Sequence, residues 1–77
     1  MKIIKIEKDP ERARVYNVTF RKFKLFGPDS EFVEQFKESD EYQFRFRQSG
    51  YYLKPDGSHL SNGHWIAEAI DQFKRSW

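Results

Sequence analysis

Two histidines with an acidic and a hydroxyl neighbour form the part of the chain that most resembles a catalytic or metal-binding site. They are His59 and His64, and Asp56 and Ser58 precede them. Zinc usually takes three or four protein ligands, often with cysteine among them, and this chain has no cysteine. A triad of Ser58, His59 and Asp56 is too local to work, because adjacent strand residues point to opposite faces. We therefore predict a non-enzymatic protein with no catalytic residue, no metal and no cofactor.

Basic residues offer a second kind of chemistry, the binding of phosphates. Guanidinium groups bind phosphates bidentately and exposed rings stack on bases, a combination that suits single-stranded nucleic acid. The net charge of +2 is low for such a role, and a solvated surface whose arginines pair with glutamates is the alternative interpretation. The candidate nucleic-acid or partner-binding residues are Arg21, Lys22, Lys24, Arg45, Arg47 and Tyr52.

Aromatic residues make up 18% of the chain, with eight Phe, four Tyr and two Trp among 77 residues. A single layer of helix on sheet has limited room for so many rings, and exposed rings are typical of protein interfaces. Trp77, at the last position, is the candidate protein-interface anchor. The alternative is that Trp77 packs within the molecule beside Phe73, on the apolar face of a helix.

Size and composition predict a single small domain over residues 1–77, with room for one modest core. Charged residues form 34% of the chain and are mixed in sign, which is typical of a soluble surface. Small secreted domains usually carry disulfides, so the absence of cysteine favours a cytoplasmic protein. No apolar run approaches the roughly 20 residues that span a bilayer, and we expect no membrane partner.

The first half of the chain is predicted to hold two strands and a short helix. Residues 3–7 form the first strand, and residues 15–26 form a longer strand that is rich in β-formers. The alternation of the longer strand slips, which a bulge near Arg21 and Lys22 would correct; alternatively, both of its faces are covered. Residues 31–38 carry apolar side chains at helical spacing, so we predict a mid-chain helix there.

The second half is predicted to hold a strand, a small hairpin and an amphipathic helix. Residues 42–47 alternate aromatic and polar side chains, which is the strongest strand pattern in the chain and predicts a strand over residues 42–48. Residues 51–54 and 58–60 flank a Pro-Asp-Gly turn and are predicted to pair as a hairpin. The helix begins near His64, with Asn62 as its expected N-cap.

Two segments of nine residues, 31–39 and 68–76, share five identical positions. If they are a true repeat, each half of the chain consists of a strand, a connection and a helix, and the repeat favours the helix at residues 31–38. The alternative is a chance match, because short similarities arise readily by chance.

These elements together predict an α+β fold, in which a small antiparallel sheet of four to five strands carries a C-terminal amphipathic helix on one face and a short mid-chain helix. We expect a small binding or regulatory domain that acts through protein contacts, as a homodimer or as an accessory regulator. The alternative is a nucleic-acid-binding domain that uses a basic and aromatic sheet face. The predicted core residues are Ile4, Ile6, Val18, Phe20, Phe44, Phe46, Leu53, Ile66, Ile70 and Phe73.

Overall fold

The computed structural model describes residues 1–39, 52–61 and 63–76, and within them five strands are followed by one helix. The elements are β1 (Lys2–Lys8), β2 (Val15–Lys22), β3 (Ser30–Glu38), β4 (Tyr52–Leu53), β5 (His59–Leu60) and α1 (Trp65–Arg75). Each strand pairs antiparallel with the next, so the sheet is a meander in the order β1-β2-β3-β4-β5. The predicted α+β class, with a C-terminal helix and a small antiparallel sheet, is confirmed.

The core lies between α1 and one side of the sheet, which we call the helix face; the other side is the outer face. Two contacts between rings join the two layers: Phe20 meets Trp65 with centroids 6.0 Å apart, and Tyr16 lies 6.4 Å from Phe73. Phe20 also stacks on Phe32 at 5.3 Å, so the rings form a connected row along the sheet. The buried apolar side chains are Val15, Tyr16, Val18, Phe20, Phe36, Tyr52, Leu60, Ile66, Ala67 and Ile70.

The prediction of a helix at residues 31–38 is wrong, because Ser30–Glu38 is the longest described strand and pairs with β2 over its length. The misleading feature is the row of side chains that β3 turns toward the helix, namely Phe32, Glu34, Phe36 and Glu38. Aromatic and acidic residues alternate in that row, so the period of two that marks a strand is hidden in the hydrophobic pattern. Residues 31–39 and 68–76 therefore differ in secondary structure despite their similarity.

The irregularity predicted for the second strand lies instead in the first. The register of β1 against β2 shifts between Ile3 and Lys5, which is a bulge at Ile4. As a result Ile3 and Ile6 both pack against the core, while Ile4 is exposed and is not a core residue. The predicted bulge near Arg21 is absent, since β2 is regular and ends at Lys22.

Helix α1 begins later than the predicted N-cap, because its N-cap is His64 and not Asn62. The imidazole Nδ1 of His64 accepts a hydrogen bond of 3.2 Å from the backbone N–H of Ile66. Among the predicted core residues, Val18, Phe20, Ile66 and Ile70 are buried, while Ile6, Leu53 and Phe73 are partly buried. The predicted strand at residues 42–48, with its core residues Phe44 and Phe46, lies outside the described residues.

The hairpin predicted around residues 55–57 is present as β4 and β5. Gly57 adopts a φ of +88° in its turn, a conformation that side chains with a Cβ rarely adopt. Within the described ranges no helix has the length and apolar character needed to cross a membrane.

Two valines on neighbouring strands test the orientation of the sheet. Val18 on β2 is 0% exposed and Val33 on β3 is 60% exposed. We expect Val18→Ala to lower the free energy of unfolding by about 2 kcal/mol, because it removes buried methyl groups and leaves a cavity. The matched Val33→Ala change should cost less than about 1 kcal/mol. Urea denaturation measures both, and equal losses would contradict the assignment of the two faces.

Candidate functional site

The three basic candidates that the structure describes lie at the end of the β2–β3 hairpin. Arg21 lies on the outer face and donates from Nη2 to Oε1 of Glu31 over 2.8 Å. Lys22 ends β2, and Lys24 lies in the following loop, where its backbone N–H donates to Oδ1 of Asp29 over 3.4 Å. Both lysine side chains are exposed. The cations therefore share one end of the sheet, but the charge of Arg21 is already paired.

Tyr52 does not share the exposed surface of these cations, because its side chain is fully buried on the helix face. Its hydroxyl donates to Oδ1 of Asp71 in α1 over 2.5 Å, and its ring meets Tyr16 edge-on at 6.0 Å. A ring in this position has no open face for stacking on a base. The other candidates, Arg45, Arg47 and Trp77, lie outside the described residues.

The sequence pattern did not predict the exposed apolar loop that the structure shows between β2 and β3. Residues 23–26, which we call the apolar tip, were assigned to a strand, but β2 ends before them. Leu25 is 92% exposed and Phe26 is 87% exposed, and Phe23 is also exposed. Gly27 follows with a φ of +99°, which turns the chain toward β3. The turn-forming residues 27–30 directly after these apolar residues were the sequence feature that indicates a loop here.

A buried acidic group joins α1 to the sheet at the end opposite to the apolar tip. Glu38 at the end of β3 is only 9% exposed, and its carboxylate accepts hydrogen bonds from the ammonium of Lys74 and from Nε of Arg14 at 3.4 Å. The Lys74 ammonium also lies 5.9 Å from the ring centroids of Tyr16 and Tyr52. We call these five residues the Glu38 cluster: Arg14, Tyr16, Glu38, Tyr52 and Lys74. It has the chemistry of a structural ion network, since each ionic group has a partner of opposite charge.

Arg14 is held in the Glu38 cluster by its backbone as well as its side chain. Its φ of +68° is unusual for a residue with a Cβ. Its carbonyl accepts the backbone N–H of Glu38 over 2.9 Å. Arg14 therefore contacts Glu38 twice, and these contacts stabilise a backbone conformation that costs free energy by itself.

The environment of the two buried tyrosines disfavours their ionised forms. Burial, reinforced by the hydrogen bond to Asp71 and the nearby charges of Asp71 and Glu38, raises the pKa of Tyr52 far above its usual value near 10. Burial is also the main cause that raises the pKa of Tyr16, with Glu38 acting in the same direction. Both hydroxyls thus keep their protons at neutral pH and are not poised to act as bases.

The histidines and their acidic neighbour have structural roles near the second hairpin. Asp56 accepts hydrogen bonds from the backbone N–H and the hydroxyl of Ser58, at 2.9 and 2.6 Å, and these bonds lower its pKa. His64 caps α1, and His59 lies on β5. The described part of the chain contains no cluster of three or more histidine, aspartate or glutamate side chains that could hold a metal ion.

A pocket of about 420 Å³ opens between α1, β3 and the second hairpin. Its apolar wall includes Phe36, Leu60, Trp65 and Ile66, and Glu34 lies beside them on the helix face. We call this the helix-cap pocket. The carboxylate of Glu34 makes no hydrogen bond or ion pair with any residue that the structure describes, in contrast to Glu38. Such a volume lies within the range of protein ligand sites.

Removal of Lys74 tests whether the Glu38 cluster fixes the helix on the sheet. We expect Lys74→Met to lower the free energy of unfolding by about 3 kcal/mol, because it leaves a buried carboxylate without its main counter-charge. Arg75→Met, at an exposed position in the same last turn, should change stability by less than about 0.5 kcal/mol. Urea denaturation gives both values, and a loss below about 1 kcal/mol for Lys74→Met would show that the pair is solvated.

Alkaline pH tests the buried hydroxyl of Tyr52. An unfolded tyrosine ionises near pH 10, whereas folded Tyr52 keeps its proton, so the folded state binds more protons above that pH. Stability is therefore fully present below about pH 10 and falls as the pH rises further. Tyr52→Phe should show a smaller fall, to which Tyr16 still contributes because its pKa is also raised. The free energy of unfolding measured between pH 8 and pH 11 gives the slopes, and identical slopes would contradict this assignment.

Comparison with known proteins supplies no relative for this chain. No protein-family model matches it, and neither a curated protein nor a solved structure matches it. Its function therefore has to be argued from the apolar tip, the Glu38 cluster and the helix-cap pocket.

Proposed function

We propose that this chain is a small, non-enzymatic binding domain that acts through protein contacts, as a homodimer or as an accessory regulator of a larger partner. The observation that carries the proposal is the exposure of Leu25 and Phe26, at 92% and 87%. Both side chains stand clear of the core, to which the same hairpin contributes Tyr16, Val18, Phe20 and Phe36. Contiguous exposed apolar side chains mark interaction surfaces in soluble proteins.

The energetics of the apolar tip favour a bound state. Burying one Leu or Phe side chain is worth about 1.5–3 kcal/mol, and this gain is not realised within the described molecule. The tip is also anchored at both ends by paired strands, and Lys24 is tied to Asp29 through a backbone hydrogen bond. A loop fixed in this way loses little conformational entropy when a partner covers it.

The ionisable groups of the core support a role without catalysis. Glu38 is bound by Arg14 and Lys74, and the Tyr52 hydroxyl is bound by Asp71. Groups that neutralise one another serve packing and orientation more readily than proton transfer.

The proposal places the domain in the cytoplasm, on the basis of its cysteine-free composition.

Nucleic-acid binding is the second candidate, and the exposed lysines Lys22 and Lys24 favour it. It is weaker than the protein-contact proposal, because Arg21 is paired with Glu31 and Tyr52 is buried. Phe23 and Phe26 supply exposed rings beside Lys22 and Lys24 that suit stacking on bases, but two lysines form a small basic patch for a nucleic-acid binder. Trp77 remains the second proposed anchor for a protein partner.

Photo-crosslinking tests the proposed surface directly. Phe26 is replaced by benzoylphenylalanine, which keeps the aromatic side chain, and Gln72 on the exposed side of α1 is replaced in a control variant. After irradiation in cells, we expect protein adducts at position 26, identified by mass spectrometry, and far fewer at position 72. Adducts with nucleic acid only, or equal yields at both positions, would contradict protein contact through the apolar tip.

Substitution of the apolar tip gives the matching affinity test. Leu25→Ser with Phe26→Ser should weaken binding to the crosslinked partner, or self-association, by about tenfold or more, because anchors of this kind dominate interface energetics. The free energy of unfolding should stay within about 0.5 kcal/mol of the wild type, since neither side chain is packed. Unchanged affinity in a folded variant would remove the tip from the interface.

A further inference from the structure

We propose that the partner of the apolar tip is a second copy of this chain, in a dimer where each copy inserts its tip into the helix-cap pocket of the other. This inference rests on the proposed function and names the partner and the complementary surface. It joins two features that have no role within the described molecule, an exposed apolar projection and a pocket with an unpaired acid.

The shapes of the two surfaces are complementary. The tip is convex, because the side chains of Leu25 and Phe26 project away from the hairpin. The helix-cap pocket is concave, with a volume of about 420 Å³ and a wall that includes Phe36, Leu60 and Trp65. A pocket of this size accepts a phenyl ring with room for a second apolar side chain, and edge-to-face contacts between rings add to the gain from burial.

The charges of the two surfaces are complementary as well. Lys24 lies within the tip, and its ammonium makes no ion pair with any described residue. Glu34 lies in the pocket and is likewise unpaired within the described ranges. Two more charges line the pocket, Lys54 and Asp56, and Asp56 is engaged by Ser58. When the tip enters the pocket, Lys24 and Glu34 compensate each other in a region from which water is displaced.

The tip and the pocket are linked through one contact between rings. Phe20, near the tip end of β2, meets Trp65, which forms part of the pocket wall. Trp65 and Met1 are themselves exposed and line the pocket. A two-fold axis beside Trp65 would pair the same surface on both copies, as closed dimers require. Five of the seven large exposed apolar side chains among the described residues then become buried: Met1, Phe23, Leu25, Phe26 and Trp65.

The area available fits a stable dimer. A standard interface buries about 800 Å² on each partner, and a Phe or Trp side chain contributes about 150–250 Å² when fully buried. Three partly or largely exposed rings together with Leu25 and Met1 approach that area. A contact limited to one ring would fall well short of it.

A charge swap provides the test, with the mass in solution read by sedimentation equilibrium. We expect the wild type to be a dimer, and Lys24→Glu and Glu34→Lys each to weaken the dimer by about tenfold or more, because like charges then meet. The double variant Lys24→Glu with Glu34→Lys should restore the dissociation constant of the dimer to within about threefold of the wild-type value. Lys37→Glu, an exposed charge on the outer face of β3, serves as the control and should leave the dimer unchanged.

Three results would overturn the reciprocal dimer. The first is a wild type that remains a monomer at millimolar concentration. The second is a dimer that the single charge reversals leave unchanged, or that the double variant fails to restore. The third is growth into longer assemblies with concentration, since a tip-to-pocket contact that does not close on itself produces chains. Circular dichroism of each variant confirms that it is folded, so that loss of the dimer is not mistaken for unfolding.

The crosslinking experiment separates failure of this inference from failure of the proposed function. Adducts at position 26 that join two copies of the chain support both. Adducts with a different protein support protein contact through the tip and overturn the self-complementary dimer. An absence of protein adducts overturns both.

Discussion

A carboxylate enclosed between a helix and a sheet is the constraint on which the arrangement of the described molecule depends. Glu38 is 9% exposed, and burial of a charge is costly unless counter-charges are positioned beside it. Lys74 and Arg14 supply them from two different elements, α1 and the loop before β2. Because ion pairs are directional while apolar contacts are not, we infer that this network fixes the position of α1 along the sheet, and that the aromatic core supplies most of the favourable free energy.

Because α1 is fixed to the sheet at its C-terminal end, the position of its N-terminal end on the sheet is fixed as well. With Lys74 bound to Glu38, the first turn of α1 lies against Phe20 through Trp65, and Phe20 lies near the end of the sheet from which the apolar tip projects. The tip, the exposed side of Trp65 and the helix-cap pocket thus belong to a single region. Their proximity is a consequence of the packing at the opposite end.

The sequence allowed the fold class, the second hairpin and α1 to be predicted, because their turn residues and hydrophobic periods are undisturbed. It failed at β3, where Glu34 and Glu38 occupy the helix face and conceal the alternation. It also failed at the apolar tip, because a run of β-forming residues does not show where pairing stops. The Glu38 cluster was out of reach, since its members come from positions 14 to 74 and meet only after the strands are in register. Of the predicted basic candidates, Lys22 and Lys24 lie at the region now proposed as functional.

The two acids on the helix face of β3 show how a stabilising group differs from one available to a partner. Both occupy the same side of one strand, four positions apart. Glu38 faces two cations of its own chain, so the cost of its burial is offset within the molecule. Glu34 lines a pocket beside Phe36 and has no described partner. Glu34 makes no described ion pair although Lys54 also lines the pocket, and such an acid favours occupants that bring a cation, as an apolar projection carrying Lys24 does. We infer that an acid at this position serves specificity more than stability.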